Sequence, residues 1–183
     1  NQNYLTPEQQ IPTKPLPYPW ESCMTMANSW SYVPNDQYKS TAKILENLCL
    51  IVSRGGNYLL NIAPNAQGEW DPIAYQRLEE IGEWMKINGR AIYGTHPVAP
   101  YEVKTDQGTW VFTENDQKEL FAIFIPVDFE VMFVEFPANQ LNISGKKELM
   151  TLGSSTHYKL KKSAANVLLY DRKGLPQVWK IAK

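Results

Sequence analysis

The apolar residues of this chain change their period near residue 95, and that change limits what it can fold into. Upstream they recur at three- and four-residue steps, as on amphipathic helices. Downstream they come in short runs or alternate, as in strands. The pattern predicts an α/β segment followed by an all-β one. In YKSTAKILENLCLIVSR, Tyr38 to Arg54, the residues Ala42, Leu45, Leu48, Cys49 and Val52 share one helical face. Asn35 and Asp36 are cap candidates, and Gly55-Gly56 is the stop. NYLLNIAP follows as a continuous apolar run with Asn61 inside it, the pattern of a parallel strand buried on both faces. After the turn Asn65-Ala66-Gln67-Gly68, a second helix starts at Asp71 and Pro72 and buries Ile73, Leu78, Ile81, Trp84 and Met85. It ends at Asn88-Gly89, with Gly89 suited to a left-handed cap. Helix, strand, helix is a fragment of an α/β layer, and its single strand has no partner in this reading.

After Thr95 the helical period is gone. TWVFTEN, ELFAIFIPV, EVMFVEF, KELMTLGS, NVLLYDR and QVWKIAK are short β-type runs separated by Gly, Pro, Asn and Asp. Val131, Phe133 and Val134 alternate with Phe136, then Leu149 with Thr151. The expectation is a small antiparallel β-sandwich over residues 96–183, with Trp110 and Trp179 filling its interior. Residues 1–95 form the α/β part.

The front of the chain fits neither pattern. NQNYLTPEQQIPTKPLPYPWESCMTMANSW has five prolines in its first nineteen residues, two isolated carboxylates, Glu8 and Glu21, and two tryptophans, Trp20 and Trp30. A flexible linker would be polar and free of tryptophan. A targeting peptide would show a basic start and an apolar run, and neither is present. The segment reads as a stiff, non-helical active-site loop in which proline fixes the position of a carboxylate, with Trp20 as its anchor.

Composition narrows the chemistry. Net charge is −1, so no basic surface points to nucleic acid or to an anionic membrane. No run of eighteen apolar residues spans a membrane. His96 and His157 stand apart from any carboxylate or cysteine at metal-ligand spacing, and nothing calls for a metal or another cofactor. Cys23 and Cys49 are too few for a disulfide framework, and their redox state is open. Asn142-Ile143-Ser144 has the glycosylation pattern but lies in an expected strand region. The aromatic share of 12% suits either sugar stacking or a ring-filled core.

Three longer phrases carry a resemblance. PWESCMTMANSWSY, SRGGNYLLNIAPNAQGEW and RLEEIGEWMKINGRAIYGT are similar, in order, to stretches of the α-L-fucosidases, one family of retaining glycoside hydrolases. The likeness runs from about residue 4 to residue 95, with Ser31 and Ala63 where the family has glycine. It implies that residues 1–95 are the C-terminal part of a (β/α)8-like catalytic barrel and that residues 96–183 are the β-sandwich following it. It also implies an exo-acting hydrolase that releases terminal α-L-fucose from glycans. Such enzymes use two carboxyl groups: one attacks the anomeric carbon, while the other protonates the leaving oxygen and later deprotonates water.

YLTPEQQIP is similar to the family stretch that bears the acid/base, which implies that role for Glu8, with Glu21 of PWES as the second choice. The family position of Trp30 implies contact with the sugar; a core position beneath the loop is the competing reading. Asn61 either faces the pocket at its strand end or is bonded to neighbouring backbone, as a buried amide must be paired. Trp70 is a rim candidate, and Trp84 belongs to the helix stripe. The implied nucleophile lies upstream of Asn1, so the N-terminal remainder of the barrel is an expected partner and the 183 residues alone are expected to be inactive. The other expected partner is a fucosylated oligosaccharide or glycoconjugate. A homo-oligomer is compatible with the sequence, and the family setting is periplasmic, secreted or lysosomal. The competing function is a non-catalytic carbohydrate-binding module. Crowding of carboxylates and aromatics into residues 8–30 favours the enzyme.

Overall fold

The computed structural model describes residues 4–128, 133–141, 148–154, 156–159, 165–168 and 174–182. Its first regular element is a strand where the sequence suggests a loop. Glu21–Thr25 forms β1, and helix α1, Thr41–Ser53, carries the chain back to β2, Asn57–Asn61. The two strands pair in parallel from Glu21 opposite Asn57 to Thr25 opposite Asn61. So β2 does have a partner. ESCMT escapes detection because it has no apolar run: Met24 is buried against α1, where the Asn47 amide meets its sulfur, and Ser22 is buried by donating to the Gln10 carbonyl. Residues 5–8 add a third extended segment, with parallel bridges at Leu5–Trp20 and Glu8–Cys23.

Helix α1 is capped by Ser40, whose side chain accepts the Lys43 N–H. Asn35 and Asp36 lie outside the helix. α1 is buried on two sides: Ile44 joins the cluster over β2, whereas Leu45 and Cys49 pack against the following β-sheet. Burial pushes the Cys49 thiol far above its ordinary range, so it stays protonated. Helix α2, Pro72–Asn88, opens as the Asp71-Pro72 signal predicts. Gly89 is a further correction. Its φ of −57° is right-handed, and the chain runs on into a 3-10 turn, Gly89–Ala91; the left-handed residue is Gly94.

The β-part begins with β3, Thr95–Lys104, then β4, Gly108–Asn115, and β5, Leu120–Pro126. Next come β6, Phe133–Phe136, β7, Glu148–Thr151, β8, His157–Lys159, β9, Ala165–Leu168, and β10, Gln177–Ala182. One sheet has the order β3-β4-β5-β10-β7-β8, and a second pairs β6 with β9. The pairings within them are antiparallel. β3 is an additional strand that Pro97 and Pro100 disguise. It sits at the sheet edge, with a register shift between Pro97 and Glu102, where a missing N–H costs little. Val131 and Asn142-Ile143-Ser144 lie outside the described residues.

The larger sheet is covered on both faces, which explains the unbroken apolar run of β5. Trp110, Phe112, Phe124 and Trp179 meet Val134 and Phe136 on one side. Val111, Phe121, Ile123 and Val178 meet Leu45, Cys49 and Trp84 on the other. Trp110 and Trp179 are fully buried, their ring centroids 5.4 Å apart, as the strand pattern predicts. Trp84 is also core and donates its indole N–H to the Pro176 carbonyl at 2.7 Å.

Candidate active site

Parallel strands interleaved with helices place functional loops beyond their C-terminal ends. Here those ends are Thr25 and Asn61, which pair with each other. The loop that leaves β1 is closed on itself. Met26 donates its N–H to the Asn61 carbonyl at 2.9 Å, Lys39 donates to the Met26 carbonyl at 2.9 Å, and Ala27 bridges to Tyr38. The Lys39 ammonium seals the same end by donating to the Thr25 and Ala27 carbonyls at 2.6 and 3.2 Å. Burial lowers its pKa, Lys43 adds to that, and Asp36 opposes it.

Trp30 stands in this closed loop. The Asn61 side-chain amide donates to the Trp30 carbonyl at 3.0 Å, and Asp36 accepts the Ser29 N–H at 2.9 Å. These two bonds fix the backbone on either side of the indole while its ring stays 40% exposed. The core alternative for Trp30 does not fit, and Asn61 lines the loop's cleft while bonded to backbone. Burial raises the Asp36 pKa, but the Gln37 and Ser29 N–H groups outweigh it and hold the carboxyl below its usual value. On the loop's far side, the Tyr32 and Tyr38 hydroxyls donate to the Asp71 carboxylate at 3.3 and 3.1 Å. Burial, then Asp71, pushes the Tyr38 pKa up to about 12. Asp71 therefore ties the two loops together instead of capping α2 with its side chain. The cleft among Ser29, Tyr32, Asp36 and Asn61 encloses about 10 Å³, room for roughly one water.

Glu8 lies on the other flank of β1. The Cys23 N–H donates to the Pro7 carbonyl at 3.1 Å and the Gln9 N–H to the Cys23 carbonyl at 2.8 Å, so Glu8 is clasped in parallel register. Parallel partners project to one side of a sheet, which puts Glu8, Cys23 and Leu59 on a common face. Leu59 is 42% exposed, so that face is open in this chain. Immediately after Glu8 the backbone turns left-handed at Gln9, φ 54°, and the Gln9 side chain donates to the Thr25 hydroxyl at 2.9 Å. Left-handed backbone at a non-glycine residue costs about 1–3 kcal/mol and concentrates at functional sites. Arg54 Nη1 grips the next stretch through the Pro12 carbonyl at 3.0 Å, and the buried Trp20 indole donates to the Arg54 carbonyl at 3.3 Å.

Glu21 occupies the opposite end of β1. Four strand steps, about 13 Å, separate it from Thr25. The structure thus brings Trp30 and Asn61 together, sets Glu8 two residues short of the Thr25 level, and keeps Glu21 remote from the loops. Trp70 is half-buried beside Tyr75, with ring centroids 5.4 Å apart. Gln9, Asp36, Lys39 and Arg54 complete the scaffold. SWSY and SRGG flagged two of its segments, but these four residues carry no periodic signal of their own.

A family model for α-L-fucosidase matches residues 1–90. The chain matches the C-terminal region of the α-L-fucosidases. Its curated relatives include the plasma α-L-fucosidase of Rattus norvegicus, 32% identical over 82% of this chain and 33% of the relative. The tissue α-L-fucosidase of Mus musculus is 38% identical over 61% of this chain and 26% of the relative. The chain thus spans about a third or less of the length of these curated relatives. Among solved structures, α-L-fucosidase isoenzyme 1 from Paenibacillus thiaminolyticus superposes with a TM-score of 0.79 at 25% identity, covering 98% of this chain and 45% of that one. A Thermotoga maritima α-fucosidase shares the fold with a TM-score of 0.78 at 23% identity, over 100% of this chain and 43% of that one. The α/β succession followed by antiparallel sheets is the arrangement of the fucosidase C-terminal region.

Proposed function

We propose that this chain is the C-terminal portion of an exo-acting α-L-fucosidase and supplies its general acid/base, Glu8. The carrying observation is the clasped Glu8 segment, held in register beside β1 and followed by the left-handed Gln9. In the first step the Glu8 carboxyl gives its proton to the glycosidic oxygen, while a carboxylate supplied by the rest of the protein attacks the anomeric carbon. In the second step the Glu8 carboxylate takes a proton from the water that releases fucose, with net retention. Trp30, pinned at its carbonyl by Asn61, offers its exposed ring to the apolar side of the sugar. Substrates are fucosylated oligosaccharides or glycoconjugates.

Because the nucleophile comes from elsewhere in the protein, the 183 residues alone turn over no substrate. Plasma and tissue fucosidases among the relatives support a secreted or lysosomal setting, and among the described residues no helix is long and apolar enough to cross a membrane. The test is hydrolysis of 4-nitrophenyl α-L-fucoside by the intact protein, with the first-formed sugar followed by proton NMR. The α anomer of fucose is expected. Initial release of the β anomer, or no hydrolysis with binding retained, overturns the proposal.

A further inference from the structure

The turn after α2 holds a feature that the fucosidase reading leaves unused. A Cβ placed on Gly89 would stand 3.3 Å from Cδ2 and Cε2 of Tyr93, so glycine lets the Tyr93 ring rest against the backbone. Yet nothing among the described residues covers the ring: Tyr93 is 72% exposed, more than any other large aromatic side chain described. It borders an open depression of about 510 Å³ shared with Arg90, Gly94 and the β4–β5 turn at Asn115–Glu119. That volume lies in the range of small-molecule sites, about 300–1,000 Å³.

The wall of the depression is tied together by hydrogen bonds to Glu119. Arg90 Nη2 lies 2.6 Å from each Glu119 oxygen, and Asn115 Nδ2 and Lys180 Nζ donate to the same carboxylate at 2.8 and 2.7 Å. The Glu119 N–H returns to Asn115 Oδ1 at 3.0 Å. Asp116 and Gln117 are exposed at the lip, and the Arg90 side chain is 61% exposed. Arg90 and Lys180 carry positive charge against Glu119 and Asp116, so the site has no net charge with which to select an ionic ligand. A propped, uncovered ring beside a carboxylate, an amide and a held guanidinium is suited to a sugar. The C–H face of a pyranose stacks on the ring, and neighbouring hydroxyls pair with the planar polar groups.

We propose that this depression is a second glycan-contact site, taking a neutral oligosaccharide through Tyr93, Arg90, Asp116 and Gln117. It lies away from the Trp30 loop: α2 starts just beyond the β2 loop and runs seventeen residues, about 25 Å, before reaching Gly89. Contact there would hold a branched glycan near the enzyme and raise the local concentration of its other ends.

The test uses the intact protein and three probes without fucose, lacto-N-neotetraose, chitotetraose and mannotetraose, followed by saturation-transfer NMR. Their binding is independent of the catalytic reading. At least one probe should receive saturation and bind in about the millimolar range. Tyr93→Ala should weaken it about tenfold with an unchanged melting temperature, and Tyr93→Trp should keep it. The assignment is overturned if none of the three probes binds or if Tyr93→Ala binds as wild type does. It is equally overturned if Tyr93→Ala alters only the sedimentation of the protein, which would make the ring a contact between copies.

Discussion

Arg54 joins three parts of the molecule, and its removal has a calculable cost. Its Nη2 meets Glu102 of β3 at 2.5 Å, its Nη1 donates to the Pro12 carbonyl at 3.0 Å, and its side chain is 11% exposed against 25% for Glu102. Replacing it by methionine keeps most of the stem and removes both contacts. Losing a hydrogen bond from a charged donor costs about 1.5–3 kcal/mol. Orphaning a fully buried carboxylate would cost about 3–5 kcal/mol, but water reaches Glu102, so about 1 kcal/mol is the better figure for that part. The sum, about 3 kcal/mol, corresponds to a fall in Tm of about 6–12 °C for a chain of this size. Adding Glu102→Gln should restore about 1 kcal/mol because no lone charge is left.

The pH dependence has a definite sign. Burial raises the Glu102 pKa, but Arg54 and Lys104 outweigh it, so the folded value lies below the ordinary 4.5. The stabilisation is therefore complete above pH 4.5 and fades as pH falls through the lower folded value. Urea melts of wild type, Arg54→Met and the double variant between pH 3 and pH 7 test this. A loss below about 1 kcal/mol at pH 7 would refute the reasoning. So would a double variant equal to the sum of the singles, or a gap between wild type and Arg54→Met that widens in acid.

Three further substitutions probe the scaffold. Gly56→Ala would place a Cβ 2.5 Å from the fully packed Trp20 indole, so a loss of about 2–3 kcal/mol is expected in thermal melts. Lys118→Gly should stabilise by about 0.5–1 kcal/mol, because Lys118 is left-handed at φ 63° and its pair with Glu114 is exposed; a net loss in the same assay counts against that account. Asn61→Ala frees the Trp30 carbonyl and should raise KM for an aryl α-L-fucoside by about tenfold with Tm nearly unchanged; an unaltered KM removes Trp30 from the substrate.

Periodicity made the two helices and most of the strands legible, because each has an apolar face that repeats locally. β1 was hidden since its burial depends on partners far away in sequence, Asn47 for Met24 and Gln10 for Ser22. β3 was hidden by prolines that only an edge position tolerates. The breadth of burial on α1 reflects a second layer, the β-sheet, that no helical stripe announces. The site divides in the same way. Family phrases pointed to Glu8, Glu21 and Trp30, and the amide inside an apolar run pointed to Asn61, but only the fold separates Glu21 at the start of β1 from Asn61 at the end of β2. The supporting bonds of Gln9 and Arg54 join residues sixteen to forty-eight positions apart, distances at which local pattern says nothing.

The most direct test of the account is the product formed by Glu8→Ala in the intact protein with an aryl α-L-fucoside and azide. An acid/base variant still forms the glycosyl-enzyme from an activated leaving group, and azide then enters on the face that the leaving group vacated. The account predicts slow turnover without azide, acceleration with it, and α-L-fucosyl azide as the product. A β-L-fucosyl azide would make Glu8 the nucleophile, and wild-type activity in Glu8→Ala would remove it from the chemistry.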